Sequence, residues 1–282
     1  MQTVKTKSQT SATVQRWKLS GESVAFVPTM GNLHEGHLKL IDTAKQYADK
    51  VVVSIFVNPM QFGENEDINT YPRTLDADSA QLAERGVDLL FSPSTDEIYP
   101  DNTHSATRVE VPAFSSILCG EFRPEHFVGV TTVVAKLFNI VQPDVAVFGE
   151  KDFQQLFLIR KMVSDLDFPI KVIGMPTVRE NDGLAMSSRN GYLSETERKQ
   201  APLLHQMLEK IHTRLEAKNA NYREIEENAS KILENTGFSV NYVSICRSND
   251  LQPANIADKE IVILVAAKLG KTRLIDNISI NI

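Results

Sequence analysis

Short runs of β-branched and aromatic residues, separated by helical patterns, constrain this chain more than any other feature. The runs are SVAFVP (23–28), VVVSIFV (51–57), VDLLFSP (87–93), DVAVFG (144–149) and PIKVIGMP (169–176). Between them lie EGHLKLIDTAKQYA (35–48), DADSAQLAERG (76–86), FVGVTTVVAKLFNIVQ (127–142) and DFQQLFLIRKMVSDL (152–166). The runs are apolar at successive positions, so both faces of each strand are buried. Buried strands alternating with helices predict a parallel sheet with helices on both faces, an α/β architecture. RVEVP (108–112) is a further candidate strand. Ligands in such folds bind beyond the carboxyl ends of the strands.

The character changes near residue 177. SETERKQAPLLHQMLEKIHTRLEA (194–217) reads as one amphipathic helix, with Ser194 as its cap and Glu197 completing a capping box. YREIEENASKILENTG (222–237) reads as a second helix. Three strand-like runs follow, the last two forming a hairpin across KLGK. The expected division is 1–176 for the parallel-sheet domain and 177–282 for a smaller α+β domain.

Composition removes some functions. The net charge is -6, with no basic stripe, which argues against nucleic acid as a partner. No apolar run reaches the ~18 residues of a membrane span. The two cysteines, Cys119 and Cys246, have no metal or disulfide spacing and are expected to be buried thiols of a cytoplasmic protein.

The stretch FVPTMGNLHEGHLKLI (26–41) stands where the first strand hands over to a helix. A helix beginning near Glu35 offers unsatisfied N–H groups and a partial positive charge, which favours phosphate. Gly31 permits a tight turn, and Gly36 removes bulk where a base or ribose could approach. His34 and His37, three apart, share a helical face and can donate to one phosphate. Read alone, each is more simply a cap or a surface residue; together, between strand and helix, they point to anion chemistry. Far downstream, Met186, Ser187, Ser188 and Arg189 form a polar loop whose hydroxyls and guanidinium also suit phosphate oxygens.

An H-x-G-H turn with a late Met-Ser-Ser-Arg loop resembles the nucleotidylyl-transferase superfamily. The closer resemblance is to the pantoate–β-alanine ligase (pantothenate synthetase) family. It rests on PTMGNLHEGH (28–37), SIFVNPMQF (54–62), YPRTLDAD (71–78), GEKDFQQL (149–156), PTVRENDGLAMSSRN (176–190) and GYLS (191–194). It spans about residues 24 to 280. One departure is Glu125 in FRPEHFVGV, where the family pattern leads us to expect glycine and a tight turn before His126.

The resemblance implies a Rossmann-like first domain and an ATP-dependent ligase acting through a pantoyl adenylate, with Mg2+ expected and a homodimer as the assembly. It implies catalytic roles for His34, His37, Lys151, Ser187, Ser188 and Arg189. ATP contacts are implied at Met30, Gly31, Asn32, Leu33, His34, Glu35, Gly36 and His37, at Gly149, Glu150, Lys151 and Asp152, and at Val178 and Met186 to Arg189. Lys151 is an unusual choice at a helix start, where a cation opposes the dipole. Gln61 and Gln155 are implied for pantoate, Gln61 also for β-alanine, and both amides can grip polar groups without a buried charge. Asn58 is expected to orient the same loop and contact pantoate. Met30 and Phe62 would wall its gem-dimethyl group. Gln154 points elsewhere on the helix and is expected to be a solvated glutamine. Asp78 is a weak candidate for an outer Mg2+ contact. Residues 62–72 could form a lid, and a hinge is expected near 175–178. The alternatives are another H-x-G-H nucleotidylyl-transferase, separated by its indifference to pantoate, and a non-catalytic binding module, which has no reason to keep the whole phosphate set.

Overall fold

A computed structural model describes residues 1–63, 66–215 and 221–281. It separates into two compact units, Met1–Glu150 with Gln154–Pro176, and Lys151–Phe153 with Thr177–Ile282.

The first unit is built on a six-stranded, all-parallel sheet: β1 (Gln2–Val4), β2 (Val24–Thr29), β3 (Lys50–Ile55), β4 (Leu89–Phe91), β5 (Val145–Gly149) and β6 (Lys171–Met175). Their spatial order is β1-β4-β3-β2-β5-β6. The helices are α1 (Lys7–Leu19), α2 (Glu35–Ala44), α3 (Leu75–Glu84), α4 (His126–Val141) and α5 (Phe153–Asp165). Alternation along the strands explains how both faces are covered. Ala25, Val27, Val51, Val53, Leu90 and Val147 turn to one face, where they pack with Leu38 and Ile41 of α2 and Leu82 of α3. Phe26 and Phe148 turn to the other and meet Phe138 of α4 edge-on, at 6.4 and 6.3 Å between ring centres. Phe26, Val27, Val52 and Leu90 are each 0% exposed; each such side chain contributes about 1.5–3 kcal/mol of burial free energy.

Three departures from expectation have local causes. The N-terminus forms β1 and α1, which the sequence pattern did not announce, because β1 is three residues long and α1 buries only Thr10, Thr13 and Val14. Residues 108–111 are not a strand. Val109 N donates to Thr132 Oγ1 (2.9 Å) and Val109 O accepts from Thr131 Oγ1 (2.5 Å), so α4 side chains satisfy this backbone in place of a sheet neighbour. The helix expected over 194–217 is broken at Pro202, which has no N–H to continue it. A short helix, Glu195–Gln200, keeps the Ser194/Glu197 capping box. Residues 216 and 217 lie outside the described residues, as do Glu64 and Asn65 of the stretch expected as a lid.

The second unit contains α6 (Leu203–Leu215), α7 (Tyr222–Asn235) and a three-stranded antiparallel sheet, β7 (Phe238–Arg247), β8 (Glu260–Leu269) and β9 (Thr272–Asn281). Leu204, Leu208 and Ile211 of α6 and Ile225 and Leu233 of α7 pack on Ile245, Ile263 and Val265 of the sheet. The expected hairpin is present, with Leu269 paired to Thr272. Among the described residues no helix is long and apolar enough to cross a membrane.

Candidate active site

In the first unit, β2 ends at Thr29 and the chain reverses through Gly31 (φ 83°) and Asn32 (φ 50°) before α2 starts at Glu35. Consecutive left-handed residues explain the glycine. Asn32 N and Leu33 N donate to Asp78 Oδ2 and Oδ1, both at 2.9 Å. Asp78 is therefore turned onto this loop.

The two histidines cap the helix themselves. His34 Nδ1 accepts from Gly36 N at 3.2 Å, and His37 Nδ1 accepts from His34 N at 3.3 Å. Their ring centres are 4.1 Å apart. A nitrogen that accepts carries no proton, so each neutral ring holds its proton on Nε2. Both rings are thus held at Nδ1. His37 N and Leu38 N also donate within the chain, to His34 O, at 2.8 and 3.2 Å. The helix-mouth amides of Gly36, His37 and Leu38 are thereby engaged, contrary to the expectation of open backbone donors.

After β3, Asn58, Pro59, Met60 and Gln61 form a tight turn. Asn58, 1% exposed, donates to Gly129 O (3.0 Å) and Gln61 Oε1 (3.2 Å). It accepts from Tyr99 Oη (2.9 Å) and Met60 N (3.3 Å). Both its hydrogens and both its acceptor positions are used, so it orients Gln61 and has no hydrogen-bonding capacity left for pantoate. Because Gln61 Oε1 accepts from Asn58, the Gln61 amide group is the end that leads outward, and it reaches Met30 Sδ at 3.0 Å. The Gln61 carbonyl is held from behind: His126 Nδ1 lies 2.7 Å away, and His126 Nε2 is 3.0 Å from Arg123 Nη1, which suits Nδ1–H donation to the carbonyl. Arg123 Nε in turn donates to Glu66 at 2.6 Å. Phe62 meets Tyr71 edge-on at 5.9 Å. Burial pushes the Tyr99 phenol above its ordinary range, so it stays a donor to Asn58.

On α5, Gln154 is not the expected solvated glutamine, because loop backbone groups bury and bind its amide. Gln154 is 4% exposed, donates to Phe114 O and Ile117 O, and accepts from Cys119 N. It is a structural staple, whereas Gln155 is half-buried.

In the second unit, Lys151 Nζ lies 3.7 Å from Asp152 Oδ2, and Lys151 O accepts from Asn277 Nδ2 at 2.9 Å. Residues 178–186 form a small hairpin: Met186 N donates to Val178 O (3.0 Å), and Arg179 pairs with Ala185. Arg179 makes a two-pronged ion pair with Asp276, at 2.7 and 3.0 Å, and Asp276 is 4% exposed. The hairpin delivers Ser187, whose Oγ accepts from Arg189 N at 3.3 Å, and Ser188 and Arg189 follow, all half-buried. Adjacent residues of β9, Asp276 and Asn277, thus anchor the Ser-Ser-Arg loop and Lys151. Sequence reasoning missed this pair; the signal was two polar residues in succession inside the strand RLIDNISI. It also missed Tyr99, Arg123 and Gly129, whose polar or packing roles carry no local pattern.

Among the described residues no group of three or more His, Cys, Asp or Glu could hold a metal ion. A cation bound chiefly by substrate phosphates needs no such cage.

Comparison with known proteins agrees over the full chain. The family model for pantoate-beta-alanine ligase matches residues 2–279. A pantothenate synthetase of Alcanivorax borkumensis is 55% identical over 99% of this chain and 98% of its own length. One from Methylococcus capsulatus is 53% identical over 100% and 99%. The crystal structure of pantothenate synthetase from Thermus thermophilus superposes with a TM-score of 0.91, at 45% identity and 99% coverage of both chains. A pantoate-beta-alanine ligase from Francisella tularensis, crystallised with beta-gamma ATP and beta-alanine, gives a TM-score of 0.80 at 38% identity, covering 99% of this chain and 97% of its own. With its motifs, fold and whole length matched in this way, the chain belongs to the pantoate–β-alanine ligase family.

Proposed function

We propose that the chain condenses pantoate with β-alanine at the expense of ATP, through a pantoyl adenylate, and that His34 and His37 stabilise the charge shifted in the first step. Family membership supports the overall reaction. The ATP and β-alanine in the Francisella tularensis relative support the substrate set. The observation that carries the assignment of the histidines is the mutual capping of the two rings, which aims two Nε2–H groups from one helix mouth.

A free carboxylate resists attack by an amine because oxide is a poor leaving group. In the proposed first step a pantoate carboxylate oxygen attacks the α-phosphorus of ATP. A new C–O–P bridge forms, the bond to the β-phosphate oxygen breaks, and pyrophosphate leaves. Negative charge moves onto the bridging and terminal oxygens, where preorganised donors act most strongly. His34 and His37 donate to these oxygens. Lys151, Ser187, Ser188 and Arg189 supply further donors and positive charge to the same triphosphate. Met30 to His37, Gly149 to Asp152, Val178 and Met186 complete the ATP contacts, with Mg2+ arriving on the nucleotide as part of the substrate. In the second step the amine of β-alanine attacks the acyl carbon, loses a proton, and AMP leaves with the C–O bonding pair. Gln61, held by Asn58 and His126, and Gln155 grip pantoate, and Gln61 also meets β-alanine. Met30 and Phe62 provide apolar wall. A homodimer in the cytoplasm is part of the same reading; Cys119 and Cys246 are buried and form no disulfide, which suits a reducing compartment.

The test is pyrophosphate release from ATP with pantoate alone, then with β-alanine added. A pantoate-dependent burst that turns into steady turnover on adding β-alanine, and that His37→Ala abolishes, is the expected result. Release that ignores pantoate would reject the ligase in favour of another H-x-G-H nucleotidylyl-transferase.

A further inference from the structure

We infer that Asp78 is a positioning residue for adenylation: its buried carboxylate fixes the turn from which His34 and His37 are presented. The inference rests on the reading of those imidazoles as the donors to phosphate.

Asp78 lies one turn into α3, in a different segment from the histidines, and is 1% exposed. Its carboxylate has three donors. Asn32 N reaches Oδ2 at 2.9 Å, Leu33 N reaches Oδ1 at 2.9 Å, and Thr74 Oγ1 reaches Oδ2 at 3.1 Å. Two of the three are consecutive backbone amides, immediately before His34. The grip is also steric. A Cβ added to Gly31 would sit 3.1 Å from Asp78 Oδ2 and 3.1 Å from the Ile55 side chain, so the turn lies directly against the carboxylate.

The turn needs such an anchor. Asn32 occupies the left-handed region at φ 50°, which non-glycine residues adopt only when surrounding structure holds them. Charge-assisted bonds from a buried carboxylate are among the stronger ways of doing so. Leu33 is then fixed at its amide, and the next residue is His34, whose ring caps α2 and packs against His37. A displacement of Asn32 and Leu33 therefore passes to both Nε2 atoms. The same three bonds occupy both carboxylate oxygens on the loop side, leaving Asp78 poorly suited to act as a metal ligand.

The test uses Asp78→Asn and Thr74→Val, with His37→Ala as control, in the pantoate-dependent pyrophosphate assay at several Mg2+ concentrations. Asp78→Asn replaces one acceptor by an NH2 group that cannot accept from the loop. Its kcat for adenylation should fall about 30-fold, or about 2 kcal/mol, while the KM for pantoate and the Mg2+ dependence stay unchanged. Thr74 is exposed, so Thr74→Val should fold normally. It removes one donor to Asp78 and should lower kcat about fivefold, the equivalent of the ~1 kcal/mol typical of one hydrogen bond. The 15N shifts of the His34 and His37 rings should move in both variants, which a loss of global stability alone would not produce. Recovery of Asp78→Asn at high Mg2+ would overturn the inference by making Asp78 a metal contact. Wild-type kcat and unmoved ring shifts in both folded variants, beside an inactive His37→Ala, would overturn it alone. Wild-type kcat in His37→Ala would overturn the reading of the imidazoles, and the inference with it.

Discussion

Gly129→Ala should damage pantoate use without touching a polar group. Gly129 sits in the first turns of α4, where its missing side chain lets the Asn58–Gln61 turn lie against the helix backbone. A Cβ there would meet Met60 O at 2.3 Å, Met60 C at 2.5 Å and Gln61 N at 2.7 Å. These are backbone atoms, so no side-chain rotation relieves the contact. To open 2.3 Å to even 3.0 Å, turn and helix must part by at least 0.7 Å. The Asn58 Nδ2 bond to Gly129 O, 3.0 Å long, shifts with them, and so does the Gln61 amide that Asn58 orients. Two energetic terms oppose each other. Alanine gains up to ~1 kcal/mol of helix propensity over glycine, while overpacking costs about 1–3 kcal/mol, so net stability should fall modestly. Activity should fall more, because a misplacement of ~1 Å in a positioning group can cost about 100-fold. We expect kcat/KM for pantoate to drop between about 10- and 100-fold, with the KM for ATP within about twofold of wild type. Circular dichroism should report an intact fold. A variant that folds, melts at or above the wild-type temperature and retains wild-type kcat/KM for pantoate would refute both the packing argument and the placement of Gln61.

Asn277→Ala removes the donor to Lys151 O and should lower kcat/KM for ATP about fivefold with pantoate KM unchanged, the single bond being worth roughly 1 kcal/mol; an unchanged ATP dependence would detach β9 from the site. Glu125 holds φ 67° at the start of α4, where the family pattern led us to expect glycine. Its partner Arg108 is an exposed ion pair, worth at most about 1 kcal/mol, whereas a left-handed non-glycine residue costs roughly 1–2 kcal/mol. Glu125→Gly should therefore leave the melting temperature unchanged or raise it by a degree or two, about what such a difference gives in a chain of this size; a clear fall in calorimetry would show that the Arg108 pair dominates. Burial, with Glu226 nearby, pushes the Cys246 thiol from its ordinary 9.0 up to about 12. The folded chain thus holds this proton more tightly than the unfolded one. Its contribution to stability is complete below about pH 9 and declines as pH rises towards 12, by up to ~1.4 kcal/mol per pH unit. Denaturant melts across that window should show a shallower alkaline decline in Cys246→Ala; identical slopes would place the thiol in solvent.

What could be read in the sequence was set by how local each cause is. The strands of the first unit were legible because burial on both faces writes itself as consecutive apolar residues, as in VAFV and VVV. The long helix over 126–141 was legible from its length, and the β8–β9 hairpin from KLGK. Pro202 was in plain view, and reading through it was an error of pattern over stereochemistry. Residues 108–111 failed for a different reason. RVEV alternates like a strand, but the side chains that satisfy it, Thr131 and Thr132, are more than twenty positions away. The site divides in the same manner. His34 and His37 stand out by their spacing, the Ser187–Arg189 loop gains weight only beside them, and Gln61 is singled out by the family resemblance. Asp78, Asn277 and Gly129 act through partners 45, 126 and about 70 residues distant, and no window along the chain contains both ends of those interactions.

The histidine pair also shows why a strand-to-helix turn with two rings differs from a bare helix N-terminus. Backbone amides that bind a phosphate must be left unsatisfied until it arrives. Here Gly36 N donates to His34 Nδ1, His34 N to His37 Nδ1, and His37 N and Leu38 N to His34 O. On the proposed reading, the donors to phosphate are Nε2–H groups of rings held by these bonds at Nδ1. Such donors need no reorganisation when charge develops, which is the condition under which electrostatic stabilisation favours the transition state over the ground state. It follows that His37→Asn, whose Oδ1 takes the place of Nδ1 and can still accept from His34 N but which has no atom where Nε2 stands, should preserve α2 while losing adenylation. Amide exchange would report the helix, and pyrophosphate release the chemistry. Loss of both together would mean that the cap, and not the aimed donor, is what the second histidine supplies.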